Sequence, residues 1–563
     1  MLRSAARPAS FAGGVRRSLA LATGAATIFA LVACSDDGDG TSRGADAPAE
    51  PTVVSDELGA SQQLVESADA VVVSGEDEES QRRAAGIAVA SGAPMLVQTA
   101  GLEAGSLDGE IERLGATTVV TVGDVTVSAE NGSDEEGMTV VEAPSSLEGL
   151  ETLTGTEFTA VEGEEQEPTR AVAEMDAEAP SVPAPSAEGA EGAEGAEGAE
   201  GDAAEGDVEP ALSDASPASA KDGDDDPLAF AAPGTPLGAI ATARAAGIQV
   251  EWLPIGDARA TTESIEAARG ERPLIGLGDV FGDSGKFTET VNLAADENIA
   301  ELPGGGQLVF PGRQMIATYG HPGAPVLGVM GEVGPEEAAQ HAQDLANQYQ
   351  ELTDTPVIPA FEIIASVAQA APGPRDDYTE PAPVDVLRPY VDAMTEIGGY
   401  VIIDLQPGRA DFVDQAKFYE ELLLEPNVGL ALDPEWKLTP DGLPNVAVGH
   451  VQAEEVNRVV DYLADLVADN NLPQKVLMLH QFQLQMLRDR DQIDVSRPEL
   501  SIVLHADGHG TPEQKFETWN VMRQDLQPEI FLAWKNFIDE DQPMFTPEQT
   551  MDIEPRPWIV TYQ

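Results

Sequence analysis

Asp433-Pro434-Glu435-Trp436 sets two carboxyls two residues apart and follows them with an aromatic ring. Paired carboxylates are what glycoside hydrolysis needs, one as acid and one as base, nucleophile or orienting group. Similar polar endings close other apolar runs: Tyr319-Gly320-His321, Glu362 near the end of Pro356–Ile364, Asp404-Leu405-Gln406 with Arg409 just beyond, His480-Gln481-Phe482, His505-Ala506-Asp507, and Trp534-Lys535-Asn536. On a strand, residues two apart share a face, which pairs Asp404 with Gln406, Asp433 with Glu435, and His505 with Asp507. Buried unpaired charge is expensive, so this many charged or histidine-bearing ends around one mouth require a wet, functional pocket. The candidate catalytic residues are Glu435, Asp433, Asp404 and Glu362. The candidate ligand-binding residues are Tyr319, His321, Gln406, Arg409, Trp436, His480, His505, Asp507, Trp534 and Lys535. Trp436, Trp534, Trp558 and Tyr319 are the rings available to stack on sugars.

The elements that must hold these groups are eight strand-like runs: Gln314–Tyr319, Pro356–Ile364, Tyr400–Gln406, Val428–Trp436, Lys475–Phe482, Glu499–Asp507, Glu529–Lys535 and Pro557–Gln563. Helical patterns fall between them at Pro335–Leu352, Val384–Ile397, Asp411–Leu424, Ala453–Asp469 and Pro512–Arg523. Eight apolar strands with crossover helices over residues 311–563 predict a (β/α)8 barrel, whose chemistry sits at the C-terminal ends of its strands. A doubly wound open sheet is the alternative. No helix follows strand eight, so an upstream segment is expected to cover that gap. Pro303-Gly304-Gly305-Gly306 reads as turn punctuation in a hairpin closing the barrel floor, not as a phosphate loop, because no helix follows it. His341 reads as a surface residue, and His450 and His509 are loop residues with no assigned task.

Of 563 residues, 100 are Asp or Glu and 30 are Lys or Arg, for a net charge of −70. That excludes nucleic acid as a partner, since phosphate binding needs a basic face. A single cysteine, Cys34, excludes an internal disulfide scaffold. Arg3, Arg7, Arg16 and Arg17 precede an apolar run, Ser18 to Ala33, that is short for a bilayer and reads as a signal peptide over 1–33. Residues 34–55 are small and polar, as in a tether. Residues 56–150 and 237–310 each alternate Ala-rich helices with short apolar strands, which implies parallel α/β units that together complete one sheet. Between them, 151–236 contains five Ala-Glu-Gly repeats and reads as an acidic disordered spacer, with calcium binding the sharper alternative.

Three resemblances add to this. Leu31-Val32-Ala33-Cys34 resembles a bacterial lipobox, which implies cleavage before Cys34 and lipidation of its sulfur; an ordinary secretory signal is the alternative, and Arg16-Arg17 leaves twin-arginine export open. Gly92-Ala93-Pro94, Arg113-Leu114-Gly115-Ala116 and Val122-Gly123-Asp124 resemble degenerate units of the cell wall-binding repeat 2 family, which implies a layered α/β fold and attachment to wall polymer. The Asp-x-Glu-aromatic end of strand four resembles chitinase-like and lysozyme-like barrel glycosidases; the resemblance implies Glu435 as general acid, with Asp433 orienting it and raising its pKa. The barrel region also looks like a family of actinobacterial exported lipoproteins that pair such a barrel with wall-binding-like units.

The resulting expectation is an α/β lipoprotein, held at the outer face of the cell membrane through Cys34 and projecting into the cell wall. Its partners would be cell-wall polysaccharide or peptidoglycan. The barrel mouth would hydrolyse glycan or, alternatively, bind it without catalysis. A third reading is metal-dependent hydrolysis with His321, His480, His505, Asp507 and Glu362, as in amidohydrolase-type barrels. Those barrels need His-x-His on strand one and Asp on strand eight, and both are missing here, so no metal or other cofactor is expected.

Overall fold

The computed structural model describes residues 50–102, 105–127, 138–161, 167–184, 212, 215–220 and 226–563. The signal peptide, Cys34 and the Ala-Glu-Gly repeats lie outside the described residues.

The upstream region forms two four-stranded parallel sheets. One is ordered Met95–Val97, Ala70–Ser74, Thr118–Val122, Thr139–Glu142; the other is Thr52–Val54, Leu274–Leu277, Leu228–Ala231, Gln249–Trp252. The single shared sheet expected from sequence is therefore corrected. Helix Leu237–Ala245 is buried on nearly every side and packs against helices Glu57–Leu64 and Glu78–Ser91, so a helical layer replaces direct strand pairing. Thr242 locks this contact: its hydroxyl accepts from the Met95 N–H and donates to the Met95 carbonyl, both at 3.0 Å.

The tether and spacer boundaries shift too. Thr52–Val54 is an edge strand, and Leu147–Thr154, Pro168–Ala173 and Leu228–Ala231 lie partly or wholly inside the expected spacer. The reason is local. Leu150, Leu153, Phe158, Val172, Met175 and Val182 are buried in the core of this region, so apolar spacing outweighs acidic composition there.

Downstream, eight strands pair in parallel and close on themselves. They are β1 Gln314–Gly320, β2 Val357–Ala368, β3 Tyr400–Leu405, β4 Val428–Leu432, β5 Lys475–His480, β6 Leu500–Ala506, β7 Phe531–Asn536 and β8 Ile559–Tyr562. β1 pairs with both β8 and β2, which closes the barrel and rules out the open sheet. The crossover helices include α1 Pro335–Gln350, α2 Val384–Glu396, α3 Phe412–Phe418, α4 Ala453–Asp469 and α5 Pro512–Met522. α5 starts on a capping box between Thr511 and Gln514, which fixes where β6's loop ends.

Alternation sets two environments. One face of each strand joins the helices in a large outer core, including Phe361, Ile403, Leu432, Leu479 and Leu504. The other face fills the interior. Met315, Ile358, Tyr400, Val476, Met478 and Ile559 pack its lower part, with Leu302, Val309 and Phe310 from the preceding segment closing the floor. The buried Arg313 guanidinium collects carbonyls of Pro303, Gly305, Leu308 and Val309, which ties the glycine turn to β1. Gly306 has φ +72 there, and a Cβ would strike the Ala260 carbonyl. Above this apolar plug the inward residues become polar.

Candidate functional site

Every strand but β4 delivers an inward polar side chain to one upper layer. Tyr319, Glu362, Asp404, His480, His505, Lys535 and Thr561 are all buried. They enclose a chain of contacts. His480 bridges two carboxylates, with Nε2 2.6 Å from Glu362 Oε1 and Nδ1 2.9 Å from Asp507 Oδ2. Tyr319 donates its hydroxyl to Asp404 Oδ2 at 2.9 Å, while Lys535 Nζ lies 3.7 Å from the centre of the Tyr319 ring. Thr561 Oγ1 faces His505 Nε2 at 2.9 Å. Lys535 is held from behind by β7's neighbour, because Lys515 donates to the Lys535 carbonyl and pairs with the buried Asp541 at 2.8 Å.

A cavity of about 460 Å³ opens above this layer. Tyr319, Gln406, Asp433, Glu435, Trp436, Asp507 and Lys535 line it, as do Phe482, His509, Phe537 and Gln563. Seven of the predicted site residues thus share one wall. Glu362, Asp404, His480 and His505 form the buried layer and are not among the lining residues, which corrects the direct catalytic contact expected of Glu362 and Asp404.

Other expectations are also corrected. His321 turns its Nδ1 to the Ile364 carbonyl at 2.7 Å and does not join the other histidines. Arg409 reaches Asp376 and the Gly442 carbonyl and stacks on Tyr378, so it braces the loops around the mouth. Trp534 faces outward from β7, where it is 1% exposed and packed against Trp519 and Phe545. Trp558 belongs to the floor with Phe310 and Phe531. The strand-four pair differs in detail as well. β4 stops at Leu432, and Pro434–Trp436 is a short 3₁₀ turn whose Glu435 N–H is capped by Asp433 Oδ1 at 3.3 Å. A turn, and not strand alternation, brings both carboxyls to the cavity. Phe537 and Thr561 carry no sequence signal of a site role, Phe482 and Gln563 are marked only as strand ends, and His509 has no assigned task; all but His509 sit at or next to strand ends.

The charge balance explains the protonation. Five carboxyls, from Glu362, Asp404, Asp433, Glu435 and Asp507, face two cationic side chains, His480 and Lys535. Desolvation favours keeping protons on some of the acids. Burial raises the Glu435 carboxyl to about 7, with Asp507 adding to the rise and Lys535 opposing it. Burial likewise raises Asp404 to about 6, against the pull of His480. Asp433 stands well above the usual carboxylate range through burial and the Glu435 charge. For His480 burial disfavours the charged ring, but Glu362 and Asp404 overcome it and hold the pKa well above its ordinary value. Burial and the His480 charge push His505 well below its ordinary value, so it is neutral.

The arrangement therefore presents an acid with a raised pKa, Glu435, on an open aromatic wall. Beside it lies Asp507, with one oxygen on an imidazolium and the other, Oδ1, without a hydrogen-bond partner among the described residues. Proton donation to a bound ligand, with a carboxylate nearby to receive charge, is the chemistry this wall can do. Glu362, His480 and His505 are the described residues grouped closely enough to hold a metal ion. No protein-family model matches the chain, and no curated protein matches it.

Proposed function

We propose that the protein is a lipid-anchored envelope protein whose barrel mouth recognises wall glycan and cleaves its glycosidic bonds. The observation that carries this reading is the Glu435 carboxyl, raised to about 7 on the wall of an open cavity next to Trp436 and Asp433. An acid with that pKa is about half protonated at neutral pH, against almost none for an ordinary Glu, and gives its proton up readily to a leaving oxygen. Trp436, Phe482 and Phe537 supply flat apolar faces for sugar rings. Asp507 is the wall carboxylate placed to receive positive charge or a water proton. Lipidation at Cys34 would hold the mouth near the wall, and the upstream α/β region would carry wall attachment.

A second reading, glycan binding without cleavage, is favoured by two contacts: Asp433 spends Oδ1 on the Glu435 backbone N–H, and Asp507 spends Oδ2 on His480. The two readings separate in one experiment. The full chain and a Glu435→Gln variant are incubated with purified actinobacterial wall glycans, new reducing ends are counted, and retained glycan is measured by pull-down. Release by the wild type alone supports cleavage. Retention by both without release assigns the mouth to binding. Neither release nor retention overturns both readings.

A further inference from the structure

The buried layer beneath the cavity carries an arrangement that glycan chemistry does not use. One ligand atom from each of Glu362, His480 and His505 lies within 4.8 Å of the other two, and both His480 Nε2, at 2.6 Å, and His505 Nδ1, at 3.9 Å, face Glu362 Oε1. Each histidine is fixed through its other nitrogen, His480 Nδ1 by Asp507 Oδ2 and His505 Nε2 by Thr561 Oγ1, both at 2.9 Å. Such outer hydrogen bonds are what orient metal-ligating imidazoles and set which nitrogen faces the ion. The inner atoms are left short of partners. His505 Nδ1 and Glu362 Oε2 have no hydrogen bond among the described residues although both residues are 0% exposed, and His505 Nδ1 stands 3.9 Å from Glu362 Oε1. Leaving buried polar atoms unpaired is costly, and a bound ion would remove that cost.

We infer that Glu362, His480 and His505 form a binding site for one borderline divalent cation of the zinc class. Bonds of roughly 2.0–2.2 Å to nitrogen and oxygen bring two donors to within about 4.2 Å of each other, so small side-chain shifts close the set. Two imidazoles and one carboxylate, which can bind through both oxygens, suit zinc-like ions and supply too few oxygens for calcium or magnesium. As the ion enters, the proton between His480 Nε2 and Glu362 Oε1 leaves to solvent. The ion ties β2, β5 and β6 together under the cavity floor and, through His480, positions Asp507. The inference does not depend on glycan being the ligand.

The test uses the full chain, dialysed against a chelator and titrated with Co²⁺ in excess Ca²⁺, which occupies the acidic surface. One saturable Co²⁺ per chain with visible d–d absorption is expected, and X-ray absorption should count two imidazoles in its shell. Glu362→Gln and His505→Gln should abolish the band. Thr561→Val, which removes only the outer hydrogen bond, should weaken binding about 10–100-fold. If the Gln variants do not fold, the imidazole count on the wild type and the Thr561→Val affinity decide. A wild-type chain with no saturable band, a shell without imidazole, or a band unchanged in folded Gln variants overturns the assignment.

Discussion

Lys535→Met isolates the electrostatics of the mouth. Lys535 is the one lysine or arginine lining the cavity among the described residues, and its ammonium lies on the Tyr319 ring with no carboxylate oxygen within 4.0 Å. Methionine keeps most of the side-chain length and volume while removing the charge. Lys535 opposes the rise in both Glu435 and Asp404, so its loss must raise both. For a unit charge just beyond ion-pair range, about 6 Å taken as an illustrative separation, with an effective dielectric between about 20 and 80, the interaction is worth about 0.7–2.8 kcal/mol. That equals about 0.5–2 pKa units, so the Glu435 midpoint should move from about 7 to about 8. The fold should change little, since the lost cation–π contact, about 0.5–2 kcal/mol, is offset by burying an apolar group where an ammonium was desolvated. The assay is a carbon-detected NMR titration of Glu-labelled protein, with Glu435→Gln identifying the resonance. A midpoint that stays in place or falls in Lys535→Met would refute the charge balance described for this site.

Other perturbations test neighbouring parts. Tyr319→Phe removes the donor to Asp404 and leaves both its oxygens unpaired; the urea midpoint should drop by the equivalent of about 1–3 kcal/mol at pH 8, and an unchanged midpoint would deny that hydrogen bond its role. Glu435 and Asp404 hold extra native protons from about pH 5 and His480 holds one above about pH 6.5, while His505, neutral in the native state, offsets one of them below about pH 6.5; stability should therefore fall as pH rises from about 5 to 7.5, by about 1.4 kcal/mol per pH unit for each net extra proton. The slope should flatten in Glu435→Gln, and a rise over this range would contradict the raised pKa values. Trp534→Ala should cost about 3–5 kcal/mol of stability, whereas Trp436→Ala should weaken glycan retention with little loss of stability; denaturation and pull-down on both variants check the pair.

The barrel was legible because parallel strands are buried on both faces and read as continuous apolar runs, so all eight stand out between their helices. Their polar ends announced the mouth for the same reason. Depth within the barrel was not legible. Strand tilt and stagger decide how far each inward residue lies from the rim, and they place Glu362 and Asp404 one layer below Glu435 although all are strand-end acids. Trp534 and Trp558 were misplaced by the related problem of face and end: one points to the helices and the other sits at the floor. His509 gave no signal because a loop has no periodicity to read. Upstream, composition hid the buried Leu153, Phe158 and Val182 inside an acidic stretch, and nothing in the strand pattern marked Leu237–Ala245 as a layer between two sheets.

The central claim is that Glu435 delivers a proton to a leaving oxygen. It is tested most directly by comparing wild type and Glu435→Gln on two substrates that share one sugar: the natural glycan, and an aryl glycoside whose leaving group departs without protonation. The account predicts a loss of about 10²–10⁴-fold on the glycan and nearly full activity on the aryl glycoside. Equal loss on both substrates, or no loss on the glycan, would contradict it.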